Sequence, residues 1–233
     1  LQLLGGRPLI VRVWERVQAM AVSDTVVVAT DAPEIAQAVH EAGGRAVMTR
    51  DDHPSGTDRV AEVAARPEFE GAEVILNVQG DEPFVSQDGI RGALAMVTAS
   101  RFAVGTAAAH AGEEILATPD VVKVVMADDG RALYFSRAAI PALRDGGDAA
   151  ARASLVRQHL GIYAYTREAL ARWVSLPEHP LERAERLEQL RPLAAGLAIG
   201  VATIDGPPPG GVDTEDDLRR ANARWDDLYA GRR

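Results

Sequence analysis

The 233-residue chain has no cysteine, a single lysine (Lys123) and only 5% aromatic residues. Without cysteine there is no disulfide, no thiolate metal site and no cysteine nucleophile, a composition suited to a reducing, cytoplasmic setting. Its one lysine lies in VVKVV, so the G-x-x-x-x-G-K-[ST] phosphate loop is absent, and Gly5-Gly6 does not complete a G-x-G-x-x-G fingerprint. Any nucleotide site must therefore be built in another way. No apolar run approaches the ~20 residues of a membrane span, and no leader pattern is visible, so no membrane association is expected. Acidic residues outnumber basic ones 34 to 25, for a net charge of −9. That balance excludes the broad basic surface with which nucleic-acid binders neutralise phosphates.

What is present is ordinary for a globular protein: 47% hydrophobic and 25% charged residues. The length fits one domain or a tightly joined pair. Strand and helix signals alternate. Pro8 to Met20 has helical spacing, with Leu9, Val13 and Val17 on one face. Thr25 to Ala29 is a β-branched run of the kind buried on both faces of a sheet. A helix over 32–42 is closed by Gly43-Gly44, and a short strand follows at 46–48. DDHPSG reads as a loop, with Thr57 capping a helix to about Ala65. Strands at 74–78 and 103–109 flank a helix at 87–99. This alternation predicts βαβ units and a mainly parallel sheet. From Val121 onward, VVKVVMADDGRALYFSR predicts a hairpin turning at Asp128-Asp129-Gly130. A polar loop over 143–154, a strand over 159–165, helices over 167–174 and 180–195, a strand over 197–204 and a last helix from Thr214 complete the α/β pattern.

In open α/β sheets, ligands bind beyond the carboxyl ends of strands, which directs attention to Thr30-Asp31, Gln79 to Pro83 and Gly211 to Thr214. In VILNVQGDEPF a strand delivers Gln79, Gly80 and Asp81. Asp81 offers a hard oxygen suited to Mg²⁺, although a strand-to-helix turn with acidic residues reads the same way. In GVDTEDDL, the acids after Thr214 suit the helix N-terminus, whereas Asp213 precedes the helix and pairs naturally with Asp81. In DDHPSGTDR, backbone groups and Arg59 can contact a base or phosphate; a loop and a helix cap is the simpler alternative. Arg137 in ALYFSR can hold a carboxylate in a bidentate fork. Tyr134, Phe135 and Tyr165 are assigned to packing. Within PLERAERLEQLR, the pair Glu182–Arg186 at i,i+4 accounts for surface charge, and Leu181, Leu187 and Leu190 for a buried face.

Taken in order, ATD, HPSGTDR, VQGDEP, VVKVV, ALYFSRAAIP, HLGIYAY, PLERAERLEQLR and GVDTEDDL resemble the 3-deoxy-manno-octulosonate (KDO) cytidylyltransferase family over essentially the whole chain. The resemblance implies a Rossmann-like nucleotide-diphospho-sugar transferase fold with helices on both faces of the sheet. It also implies a single domain, with a sugar-binding and dimerisation subregion at about 121–175, and a homodimer. The implied reaction joins CMP from CTP to KDO with Mg²⁺, for lipopolysaccharide synthesis; sialic acid or amino-KDO is an alternative acceptor. It places the metal on Asp81 and Asp213 and the nucleotide near Ser55, Gly56, Thr57, Arg59 and Gln79. The sugar falls to Gln79, Arg137, His159, Tyr163, Glu188 and Gln189, with Arg137 also implied in catalysis. Members of the family begin with a strand and an arginine- and lysine-containing phosphate loop, whereas this chain opens at Leu1 on what resembles the end of that loop. The expectation is a truncated record, with a noncatalytic sugar-nucleotide binder as the alternative.

Overall fold

The computed structural model describes residues 1–99, 101–144, 148–207 and 209–229. The chain opens with a minimal hairpin, β1 (Leu3–Leu4) and β2 (Arg7–Pro8), turned by Gly5 and Gly6 with φ of +54° and +76°. Positive φ at both turn residues is what a tight two-residue hairpin demands. Gly5 is required twice over, because a Cβ there would lie 2.4 Å from the Trp225 ring. Helix α1 (Leu9–Ala19) buries Val11, Val13 and Val17, and leads to β3 (Val27–Thr30), α2 (Pro33–Glu41) and β4 (Arg45–Met48). Helix α3 (Gly56–Ala64), strand β5 (Val74–Asn77), helix α4 (Gln87–Thr98) and strand β6 (Val104–His110) follow.

The predicted hairpin is β7 (Lys123–Met126) with β8 (Ala132–Ser136). The polar segment expected as loop over 143–154 contains α5 (Ala149–Leu155), capped by the Asp148 carboxylate accepting from the Ala151 N–H; 145–147 lie outside the described residues. Alanine supplies helix propensity there and the cap supplies a start, which a search for apolar periodicity overlooks. Strand β9 (Arg157–Thr166) and helix α6 (Arg167–Ser175) come next.

The helix expected over 180–195 is broken into α7 (Pro180–Glu185) and α8 (Leu190–Ala194) by Arg186 at φ +51°. With the break, the expected Glu182–Arg186 pair gives way to a buried bidentate pair. Arg191 Nε and Nη2 donate to Glu182 at 2.8 and 2.6 Å. Glu182 also accepts from the His179 N–H, closing a capping box. Leu187 and Leu190 are buried as expected, but Leu181 is 39% exposed. Strand β10 (Ile199–Ile204) and helix α9 (Glu215–Tyr229) close the chain.

The contacts divide the chain into two compact units. One comprises Leu1–Val63, Val78–Val85 and the described part of Pro208–Arg233. It holds the parallel pair β3–β4 and two apolar clusters, Leu4/Phe84/Ala221 and Val11/Val28/Val39. The other, Ala64–Asn77 with the described part of Ser86–Pro207, holds a six-stranded sheet in the order β10-β6-β9-β7-β8, with β5 also on β9. The α/β class is as predicted, but the large sheet is mixed: only β10–β6 is parallel, while β9 runs antiparallel to β5, β6 and β7. Alternating elements reveal a strand's neighbours in sequence, and β5 takes its partner from far down the chain.

Removing one member of a buried ion pair strands the other, a cost of about 3–5 kcal/mol. Glu182→Ala should therefore lower the urea-derived stability by about that amount. Arg183→Ala, which cuts only the exposed contact of Arg183 with Glu178, should change it by less than about 1 kcal/mol.

Candidate active site

The first unit carries the acidic and nucleotide-side candidates. After β5 the chain turns through Gln79, Gly80 and Asp81, and the Val212 N–H donates to the Asp81 carbonyl at 2.8 Å. This bond ties the loop before α9 to the loop after β5. Gly211 allows the approach: a Cβ there would lie 2.9 Å from Glu82 Oε1 and 3.2 Å from the Asp81 oxygen. Asp81 and Asp213 are thereby brought within electrostatic reach. The Asp81 pKa is raised, chiefly by burial and further by the charge of Asp213, against a backbone hydrogen bond that lowers it. Glu82, read from sequence as a turn residue, joins them. Burial, and then the charges of Asp81 and Asp213, push its pKa up to about 7. Thr214 caps α9 as predicted, its hydroxyl accepting from the Asp217 N–H at 3.2 Å.

Apposed carboxylates without a counter-ion are unfavourable, so the pair fits a divalent cation. Among the described residues, no group of three or more His, Asp or Glu side chains converges to hold a metal. Two carboxylates with remaining positions open to substrate phosphates and water is the arrangement Mg²⁺ favours.

Ser55 accepts from the Asp58 N–H at 3.3 Å and donates to its carboxylate at 2.6 Å, so Ser55 starts α3. Thr57, expected to be the cap, is inside the helix and fully buried. Gly56 sits against Gln79, whose Oε1 would be 3.3 Å from an added Cβ. Arg59 Nη1 donates to Thr49 Oγ1 at 2.5 Å and pairs with Asp31 at 3.1 Å. Asp31 belongs to a strand end that the sheet rule had flagged; Thr49 carried no sequence signal.

The sugar-side candidates Arg137, His159, Tyr163, Glu188 and Gln189 all lie in the second unit. Arg137 follows β8. Its N–H donates to Glu185 Oε2 at 2.9 Å, its Nε to the Glu185 carbonyl at 2.8 Å and its Nη1 to the Pro119 carbonyl at 3.2 Å. Strand β9 bulges against β6 between the pairs Thr106–Tyr163 and Ala108–His159, with Gly161 at φ +66°. Bulges re-aim side chains, and here His159 and Tyr163 come together with ring centroids 5.4 Å apart.

Thr106 donates to the Ile162 carbonyl at 2.6 Å, which leaves its oxygen to accept from His159 Nε2 at 2.9 Å. Burial pulls the His159 pKa down to about 3, so the ring is neutral. Tyr163 packs among His159, Tyr165 and Trp173, and is core as much as site. Burial raises its pKa, as do the nearby Tyr165 and the charge of Glu188. Its hydroxyl, and the Nδ2 of Asn77, its register partner on β5, lack hydrogen-bond partners among the described residues. Gln189 is buried ahead of α8. Sequence pattern did not single out Thr106 or Asn77, because small polar residues within strands carry no motif.

A ring that stays neutral when folded but takes a proton near pH 6.5 when unfolded favours the unfolded state as pH falls from about 6.5 towards about 3. By pH 5 the wild-type chain should lose about 2 kcal/mol more stability than His159→Gln, relative to pH 8. Equal losses in urea titrations of the two proteins would contradict a neutral ring.

The family model for cytidylyltransferases matches residues 1–199. The 3-deoxy-manno-octulosonate cytidylyltransferase of Gemmatimonas aurantiaca is 62% identical over 230 residues, covering 99% of this chain and 89% of its own length. That of Azorhizobium caulinodans is 48% identical, covering 94% and 86%. A solved structure of CMP:2-keto-3-deoxy-manno-octonic acid synthetase complexed with CTP superposes with a TM-score of 0.87 at 38% identity, covering 97% of this chain and 90% of that one. A 4-diphosphocytidyl-2C-methyl-D-erythritol synthase from Anaerococcus prevotii shares the fold at a TM-score of 0.62 and 13% identity. The paired aspartates, the SGT-x-R turn and the bulged histidine strand thus sit in a chain that belongs to the 3-deoxy-manno-octulosonate cytidylyltransferase family.

Proposed function

We propose that this protein transfers CMP from CTP to the 2-hydroxyl of 3-deoxy-manno-octulosonate, releasing pyrophosphate. The observation that carries the reading is the likeness, over nearly the whole chain, to a synthetase solved with CTP. The coupled carboxylates of Asp81 and Asp213 supply the chemistry it needs.

In this reading Asp81 and Asp213 hold Mg²⁺. When bound, the ion offsets charge on the phosphates and lowers the pKa of the attacking hydroxyl. The sugar oxygen attacks the α-phosphorus of CTP in line: a new P–O bond forms, the bond to pyrophosphate breaks, and the hydroxyl proton passes to water. Ser55, Gly56, Arg59 and Gln79 bind the nucleotide, while Thr57, fully buried within α3, presents no exposed group to it. Arg59 is held by Asp31 and Thr49, so its fork is fixed before the ligand arrives. Arg137 takes the sugar carboxylate, and His159, Tyr163, Glu188 and Gln189 orient its hydroxyls. Because His159 is neutral, it serves as a hydrogen-bonding group and not as a cation.

Positioning and electrostatics then provide the acceleration, with no covalent enzyme intermediate. The product is the activated sugar for lipopolysaccharide synthesis, made in the cytoplasm by a homodimer. No helix among the described residues is long and apolar enough to cross a membrane.

The test is pyrophosphate release with CTP, 3-deoxy-manno-octulosonate and Mg²⁺. Asp81→Asn should abolish turnover, by at least about 100-fold, while its urea midpoint stays at or above that of the wild type, since a group whose pKa is raised on folding resists ionisation. Near-normal turnover in that variant would sink the metal assignment. Turnover with sialic acid in place of the octulosonate would redirect the acceptor.

A further inference from the structure

Lys123, the single lysine, has no part in the reaction as derived above, yet it is fully buried. Its ammonium donates to three backbone carbonyls: Thr118 at 3.0 Å, Val121 at 2.7 Å and Arg137 at 2.5 Å. An ammonium has three donors, and all three are used. Glu185, the carboxylate whose charge acts on it, is engaged with the Ser136 hydroxyl at 2.7 Å and the Arg137 N–H at 2.9 Å. Lys123 is therefore a buried cation held by carbonyl dipoles, without an ion pair among the described residues. Burial pulls its pKa below the usual lysine value, the charge of Arg137 pulls it further, and Glu185 opposes both.

Such a group is costly to bury, and the three carbonyls explain what it achieves. Arg137 is gripped at every backbone group and on one edge of its side chain. Lys123 holds its carbonyl, and Glu185 holds its N–H and Nε. Pro119, in the same turn that Lys123 ties down through Thr118 and Val121, takes its Nη1. We propose that Lys123 is a positioning residue: it locks the 118–121 turn onto Arg137 so that the guanidinium stands ready for the carboxylate of an acidic sugar. The inference rests on the sugar-acid role given to Arg137 in the proposed function. Lys123 also places a second positive charge behind the guanidinium, which favours an anionic ligand over a neutral one.

Having one lysine makes the test direct. In the wild-type chain, labelling with lysine carrying ¹³C at Cε gives a single side-chain signal. That signal should move when 3-deoxy-manno-octulosonate saturates the protein, with binding followed separately by calorimetry. In Lys123→Met, the KM for the sugar acid should rise about 10- to 100-fold, the loss expected for weakened charge-assisted hydrogen bonds. The KM for CTP should stay within about twofold, a split that general loosening of the fold does not produce. A stationary signal under saturating sugar acid overturns the proposal, as does an unchanged sugar KM or an equal rise in both KM values. If the variant does not fold, the wild-type signal decides alone. Sugar binding without these effects removes only the positioning role. A wild-type chain that binds no sugar acid overturns the functional reading and the positioning role with it.

Discussion

Strand β9 is the constraint on which the second unit depends. Its ten residues carry ladders to β5, β6 and β7, and its inward side chains Tyr163 and Tyr165 pack edge-on against Trp173. A strand paired on both edges cannot slip without reversing every side chain. The one departure from regular register is the bulge at Gly161, and it is there that His159 is turned beside Tyr163 and bonded to Thr106. This candidate histidine is thus held by the same ladder that organises the sheet. Its neutrality follows from that enclosure.

With nine excess negative charges on the chain, the proposed anionic substrates have to be met by local arrangements. Each unit does this in its own way. In the first, burial and mutual repulsion among Asp81, Glu82 and Asp213 raise the pKa values of Asp81 and Glu82. In the second, Arg137 and Lys123 lie within reach of one another with one carboxylate, Glu185, spent on hydrogen bonds. Both arrangements are unfavourable in isolation, and both are held by backbone contacts: the Val212 N–H on Asp81 in one, the ring of carbonyls around Lys123 in the other. The surrounding backbone holds both in place.

Much of the element order is legible from sequence because it is set by local rules. Val13 and Val17 of α1 and the Thr214 cap of α9 depend on neighbours a few residues away. The break at Arg186 is different. Pro192 argues against one helix running on to 195, but nothing in PLERAERLEQLR marks Arg186 as the break, which brings Glu182 to Arg191 in place of the i,i+4 pair. The same holds for β5, whose parallel-looking context conceals an antiparallel partner. Among the site residues, Asp81 and Asp213 could be singled out as strand-end and helix-start acids. Glu82, Thr106 and Asn77 could not, since what distinguishes them is burial beside groups distant in the chain.

The sequence alone determined the chemistry available: hard carboxylate oxygens without thiolates, arginine forks with one lysine, and a run of motifs that places the chain in its family. Tertiary structure decided which of these groups share an environment. It gave Glu82 a raised pKa, made His159 neutral and buried Lys123 under Arg137. The physical reason is that side-chain identity is a local property. Desolvation and charge coupling are set by whatever the fold brings within a few ångströms, and residues far apart in sequence acquire them only when the chain has folded.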